Sequence, residues 1–86
     1  MIIKRDLVKR DIAGDTILVP VGKDVYSSNG LFILNELGSF IWDILPDAAD
    51  EQDVLNAILE EYDVSMETAS ADLKEFLEKL KELNIL

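Results

Sequence analysis

Residues 31–45 read LFILNELGSFIWDIL, and within them the spacing of apolar residues changes from the period of a strand to that of a helix. Residues 31–34 are large and apolar, as is typical of a strand. Asn35 can cap a helix that begins behind it, and Pro46 ends that helix. A strand that passes directly into a helix therefore stands at the centre of this sequence.

Two further strands are expected before this stretch. Residues 7–12 and 16–20 are rich in Val, Ile and Leu, and Gly14 lies between them at the position of a hairpin turn. Pro20 ends the second of these strands. With the apolar run at 31–34, the sequence predicts a three-stranded antiparallel sheet.

After the strands, the apolar residues keep a period of about 3.6, which predicts helices at about 36–45, 51–61 and 66–83. A residue suited to N-capping precedes each helix: Asn35, Asp50 and Ser65. Trp42 lies off the main apolar stripe of the first helix, and packing is favoured over an exposed aromatic surface. The element order predicts an α+β fold, a small winged-helix-like domain in which residues 1–86 form one unit.

The composition excludes most kinds of catalytic site. The chain has no cysteine and no histidine, which removes thiol nucleophiles, imidazole bases and the usual zinc ligands. The carboxylates lack the spacing of a calcium loop, and the four glycines form no phosphate-binding loop. We therefore expect no enzymatic activity, no metal site and no cofactor.

The sequence also lacks the features of an exported or membrane protein. Its longest apolar runs are far shorter than the roughly 20 residues of a membrane-spanning helix. Residues 1–6 carry charges where a signal peptide would have its apolar core. We expect a cytoplasmic protein that does not enter a membrane.

Acidic residues dominate the middle of the chain. The formal net charge is −10, and residues 24–73 contain twelve acidic residues and no Lys or Arg. All eight basic residues lie in the two flanking segments. Because such a surface repels phosphate, we expect no nucleic-acid partner.

The third strand is the first candidate for a binding site. Its residues Leu31, Phe32, Ile33 and Leu34 should place apolar side chains on both faces of the sheet. One alternative is a buried central strand, covered by the loop at 26–30 and by the hairpin. The other is an edge strand without lysine or proline, which can pair with an added peptide or with the same edge of a second copy in a homodimer.

The last helix supplies the second candidate. Its apolar stripe, formed by Leu73, Leu77 and Leu80, is expected to be core. Phe76 lies at the border of this stripe, with Asp72 and Lys79 on the same side at helical spacing. A border that is half apolar and half charged can line a groove, although a solvated flank with weak ion pairs explains Lys79 equally well.

Several segments resemble the PqqD family. Residues 34–45 are similar to its strand-to-helix signature, with Asn35, a small residue and Ile41-Trp42 at the same spacing. The segments of the second half that also resemble the family are Tyr62–Ser65, Asp72-Leu73, Phe76-Leu77 and Leu83–Leu86. Pro46-Asp47 departs from the Asp-Gly of many members, which affects the loop after the first helix.

This resemblance implies a recognition element for the precursor peptides of ribosomally synthesised natural products. Such domains bind the leader segment of the precursor and present it to a modifying enzyme, often a radical SAM protein. The leader pairs with the third strand in a cleft walled by the third helix. The residues implied here are Leu31, Phe32, Ile33, Leu34, Asp72, Phe76 and Lys79.

Two other functions remain open at this point. A winged-helix regulator would bind DNA or protein, and the acidic middle of the chain argues against DNA. An acidic carrier domain would need an attachment serine at the start of a helix. Ser39 and Ser65 lack the sequence context of such a serine.

Overall fold

A computed structural model describes residues 1–22 and 32–86. Three strands are followed by three helices, and a short 3₁₀ turn separates the first two helices. The elements are β1 (Leu7–Ile12), β2 (Asp15–Pro20), β3 (Phe32–Leu34), α1 (Glu36–Ile44), the 3₁₀ turn (Leu45–Asp47), α2 (Glu51–Glu61) and α3 (Met66–Glu82). The predicted fold class, an antiparallel sheet ahead of three helices, is confirmed.

The sheet has the order β1-β2-β3, with both pairs antiparallel. Ile12 is paired with Asp15, so only Ala13 and Gly14 form the turn between β1 and β2. Their φ angles of 52° and 87° are both positive, which a tight hairpin turn of this length requires. This hairpin makes β2 the central strand and leaves β1 and β3 as the two edges.

Each helix begins where the sequence predicts a cap. The side chain of Asn35 accepts a hydrogen bond from the backbone N–H of Gly38 at 2.7 Å. Asp50 and Ser65 accept equivalent bonds for α2 and α3, at 3.0 and 3.1 Å. These bonds satisfy backbone donors that have no partner inside the helix, and they fix the first residue of each helix.

The helices pack on one face of the sheet around a single apolar cluster. β2 and β3 contribute Leu18 and Leu34 to it. The other buried members are Ile41, Trp42, Leu45, Val54, Leu55, Ile58, Ala69, Leu73, Leu77, Leu80 and Ile85. Trp42 is thus a packing residue, as its position in α1 predicts, and the apolar stripe of α3 is core.

Polar contacts join β1 and the segment before it to the helical half of the chain. Lys9 of β1 lies 2.9 Å from the Ser39 hydroxyl and 2.7 Å from the Asp43 carboxylate, both on α1. The backbone N–H of Lys4 donates to the carbonyl of Ile85 at 2.7 Å, which holds the two ends of the chain together. These contacts fix the position of the helices against the sheet and leave β3 at its far edge.

Candidate functional site

β3 is an edge strand that carries no charge. It pairs with β2 through Leu18↔Phe32, Ile17↔Ile33 and Thr16↔Leu34, and within residues 1–22 and 32–86 no strand pairs with its other side. The opposite edge, β1, has the charged run Lys9-Arg10-Asp11. Charged side chains discourage pairing with a foreign strand, so the two edges of this sheet differ in their capacity to accept one.

The three residues of β3 alternate between the two faces of the sheet. Leu34 is 5% exposed and belongs to the core, and Phe32 packs against the core from its border. Ile33 points the other way and is 65% exposed. Apolar side chains therefore emerge on both faces. The expected cover at residues 26–30 lies outside the described residues, as does Leu31.

A groove of about 530 Å³ runs along β3 and α3, a volume in the range of small-molecule and side-chain sites. The beginning of α1 lies at its base, and the first residue of β2 lies at its margin. The residues that line it are Asp15, Phe32, Ile33, Leu34, Asn35, Leu37, Gly38, Ile41, Asp72, Glu75, Phe76 and Lys79.

An aromatic contact joins the two walls of the groove. The rings of Phe32 and Phe76 have centroids 5.9 Å apart at an interplanar angle of 74°, an edge-to-face arrangement. Gly38 allows the Phe76 ring to lie against α1, because a β carbon at this position would be 3.2 Å from Cε1 of Phe76. It would also be 3.1 Å from Oδ1 of Asn35, the atom that caps α1. A larger residue at position 38 would displace one of these two groups.

The charged residues of the groove are mainly acidic. Asp15, Asp72 and Glu75 face one base, Lys79. The Lys79 ammonium lies 3.5 Å from the Glu75 carboxylate one helical turn away, and both side chains are more than half exposed. An exposed pair of this kind contributes little to stability. Lys79 therefore forms a weak, exposed ion pair and also lines the groove.

The structure brings together the predicted site residues that it describes. Phe32, Ile33, Leu34, Asp72, Phe76 and Lys79 all line this groove. Six further residues line the groove that the sequence does not indicate as site residues: Asp15, Asn35, Leu37, Gly38, Ile41 and Glu75. Glu75 could have been found from its spacing on α3, between Asp72 and Lys79. No local signal places Asp15 there, because its position depends on the hairpin.

A second aromatic pair lies outside the groove. The rings of Phe40 and Tyr62 are 5.4 Å apart at 89°, which joins α1 to the end of α2. Desolvation raises the pKa of the Tyr62 phenol, and the nearby carboxylates Glu36 and Glu61 raise it further. This pair supports the helical packing and does not line the groove.

The described residues were found to form neither a metal cluster nor a membrane-spanning helix. Within the described ranges, no group of three or more His, Cys, Asp or Glu residues is arranged to hold a metal ion. No described helix is long and apolar enough to cross a membrane.

Comparisons with known proteins identify the family of this chain. A solved structure described as "TbiB1 in Complex with the TbiA(beta) Leader Peptide" is 28% identical in sequence with a TM-score of 0.75, and the match covers 100% of this chain and 94% of that chain. No curated protein matches the chain. The family profile described as "Coenzyme PQQ synthesis protein D (PqqD)" matches residues 16–86, from β2 to the end of α3 and beyond. The chain therefore belongs to the PqqD family.

Proposed function

We propose that this domain binds the leader segment of a ribosomally synthesised precursor peptide as an additional strand on β3. The domain performs no chemistry itself and presents the peptide to a modifying enzyme, such as a radical SAM maturase, in the cytoplasm. The observation that carries the proposal is the uncharged outer edge of β3 beside an open groove. Main-chain hydrogen bonds to this edge would supply affinity, and the groove would select side chains.

The comparisons support a peptide as the ligand. The similar structure TbiB1 is described as a complex with a leader peptide, and it covers the whole of this chain. Family membership supports the same class of ligand. The absence of cysteine and histidine supports a binding role, because the chain has neither a thiol nucleophile nor an imidazole base.

Strand addition predicts a pattern with a period of two in the peptide. Alternate residues of an added strand direct their backbone N–H groups toward β3, and the residues between them direct theirs away. Peptides of random sequence selected by display on the full chain provide the probe. Each backbone nitrogen of a selected peptide is methylated in turn, and affinity is measured by fluorescence anisotropy. We expect losses of about three- to ten-fold at every second position within the pairing segment.

Proline at the sensitive positions should weaken binding at least as much, because it removes the same donor.

Two substitutions in the protein form a matched pair of variants. Ile33 and Ile12 are exposed isoleucines, 65% and 54% exposed, on the two opposite edge strands. Ile33→Gln should weaken binding about five-fold by removing an apolar contact of about 1 kcal/mol, and Ile12→Gln should leave it unchanged.

Methylation losses without alternation would refute strand addition, as would equal effects of the two glutamine variants. A failure to select any peptide that depends on Ile33 would refute peptide binding at β3.

A second copy of the chain, paired through the same edge, is the competing occupant of β3. Analytical ultracentrifugation of the unliganded protein tests for such a dimer. A dimer that selected peptides do not dissociate would show that β3 serves assembly.

A further inference from the structure

The charged residues of the groove indicate the chemistry of the peptide, provided that the proposed function holds. Lys79 is paired with Glu75, so these two charges offset each other. Asp15 and Asp72 are exposed, and neither carboxylate has a side-chain hydrogen bond or an ion pair within residues 1–22 and 32–86. The groove is therefore lined by two carboxylates that no described residue pairs, on a chain whose net charge is −10.

The spacing on α3 relates one of these carboxylates to the apolar part of the groove. Asp72 precedes Phe76 by one helical turn, about 6 Å along the axis for four residues. Two residues of extended chain cover about 6.6 Å, and their side chains point to the same face. Consider a peptide that runs along α3 and packs an apolar side chain on Phe76. The peptide side chain two positions from that apolar residue then lies level with Asp72.

We propose that the groove selects an extended segment with an apolar residue against Phe32 and Phe76 and a lysine or arginine two positions away, facing Asp72. The apolar contact and the strand pairing would provide most of the affinity. An ion pair at an exposed site changes affinity by only about two- to five-fold, so the basic residue acts as a selector among apolar peptides.

The chain contains a matched control for this charge. Asp63 is exposed, follows α2 and does not line the groove, so Asp63→Asn and Asp72→Asn change the net charge equally. The probe is a selected peptide whose pairing register is known from the methylation scan. Its basic residue is replaced by glutamine in a second peptide, which gives a double-mutant cycle between peptide and protein.

We expect selected peptides to be enriched in Lys and Arg two positions from an apolar residue. Asp72→Asn should weaken the basic peptide about two- to five-fold and leave the glutamine peptide unchanged, while Asp63→Asn affects neither. The preference for the basic peptide should shrink as salt is raised, because the pair is exposed.

Three results separate this inference from the proposed function. Alternating methylation losses without basic enrichment, or equal effects of the two asparagine variants, would overturn the charge selection and leave strand addition intact. Enrichment in Asp or Glu would overturn it as well and would indicate Lys79 as the charged anchor. Loss of the alternation itself would overturn strand addition, whatever charges the peptides carry.

Discussion

The contact between Phe32 and Phe76 should couple β3 to α3 energetically. Replacing each phenylalanine by leucine, singly and together, removes the edge-to-face arrangement at 5.9 Å while an apolar side chain remains at both positions. Such an aromatic pair is worth about 0.5–1.5 kcal/mol beyond its buried area. The double variant should therefore be more stable, by that amount, than the sum of the two single losses predicts.

Urea unfolding provides the assay, and Trp42 is a suitable probe because it is the only tryptophan and is buried. An 86-residue domain has a stability on the order of 4–13 kcal/mol, so a coupling of this size is measurable. Phe40 supplies the control, since its ring pairs with Tyr62. A cycle between Phe40 and Phe76 should be additive within about 0.5 kcal/mol.

A coupling between Phe32 and Phe76 within about 0.3 kcal/mol of zero would contradict the reasoning. It would mean that the two rings do not hold the walls of the groove together in solution. A coupling as large in the control cycle would also count against it, because the effect would then be general to the core.

Three further predictions concern stability. Leu80→Ala, at a fully buried position, should lower the free energy of unfolding by about 2–5 kcal/mol, whereas Glu78→Ala on the exposed side of the same helix should change it by less than about 0.5 kcal/mol. Asn35→Ala should cost about 0.5–2 kcal/mol in urea unfolding through loss of the bond to the Gly38 N–H, and Asn35→Asp, which keeps an acceptor, should restore most of it. The pKa of Tyr62 in the folded protein lies above its ordinary value of 10.0, so the folded state holds this proton more tightly and the wild type should lose stability as pH rises above 10.0. Tyr62→Phe should lose less over that range in thermal unfolding, and an equal loss would argue against the raised pKa.

The element order could be read from the sequence because it depends on local patterns. The change of period at residues 31–45 separates strands from helices, and Asn35, Asp50 and Ser65 each cap the helix that they precede. Caps and periods involve residues within one or two turns of each other, so they do not depend on distant parts of the chain. The bounds of the described elements accordingly differ from the expected ones by no more than one residue.

The sequence also indicated which residues of β3 and α3 to consider, but not that they share one groove. The border position of Phe76 on the apolar stripe of α3 follows from helical spacing alone. Its contact with Phe32 joins β3 to α3, two elements that lie far apart along the chain, so local spacing does not predict it. Two interpretations were open for β3, a buried central strand or an edge. In the β1-β2-β3 order it is an edge of the described sheet, and cover by residues 26–30 stays a prediction.

The sequence by itself therefore determined the types and order of the elements, the caps, the core stripe of α3 and the acidic character of the chain. Only the tertiary structure decided that β3 is an edge of the described sheet, that Gly38 accommodates Phe76, and that Asp15 joins the acidic residues of the groove. The physical reason is the separation along the chain of the residues that interact. Periodicity and capping act between near neighbours along the chain, whereas a groove is formed by side chains from separate elements, whose approach is fixed by the packing of the whole core.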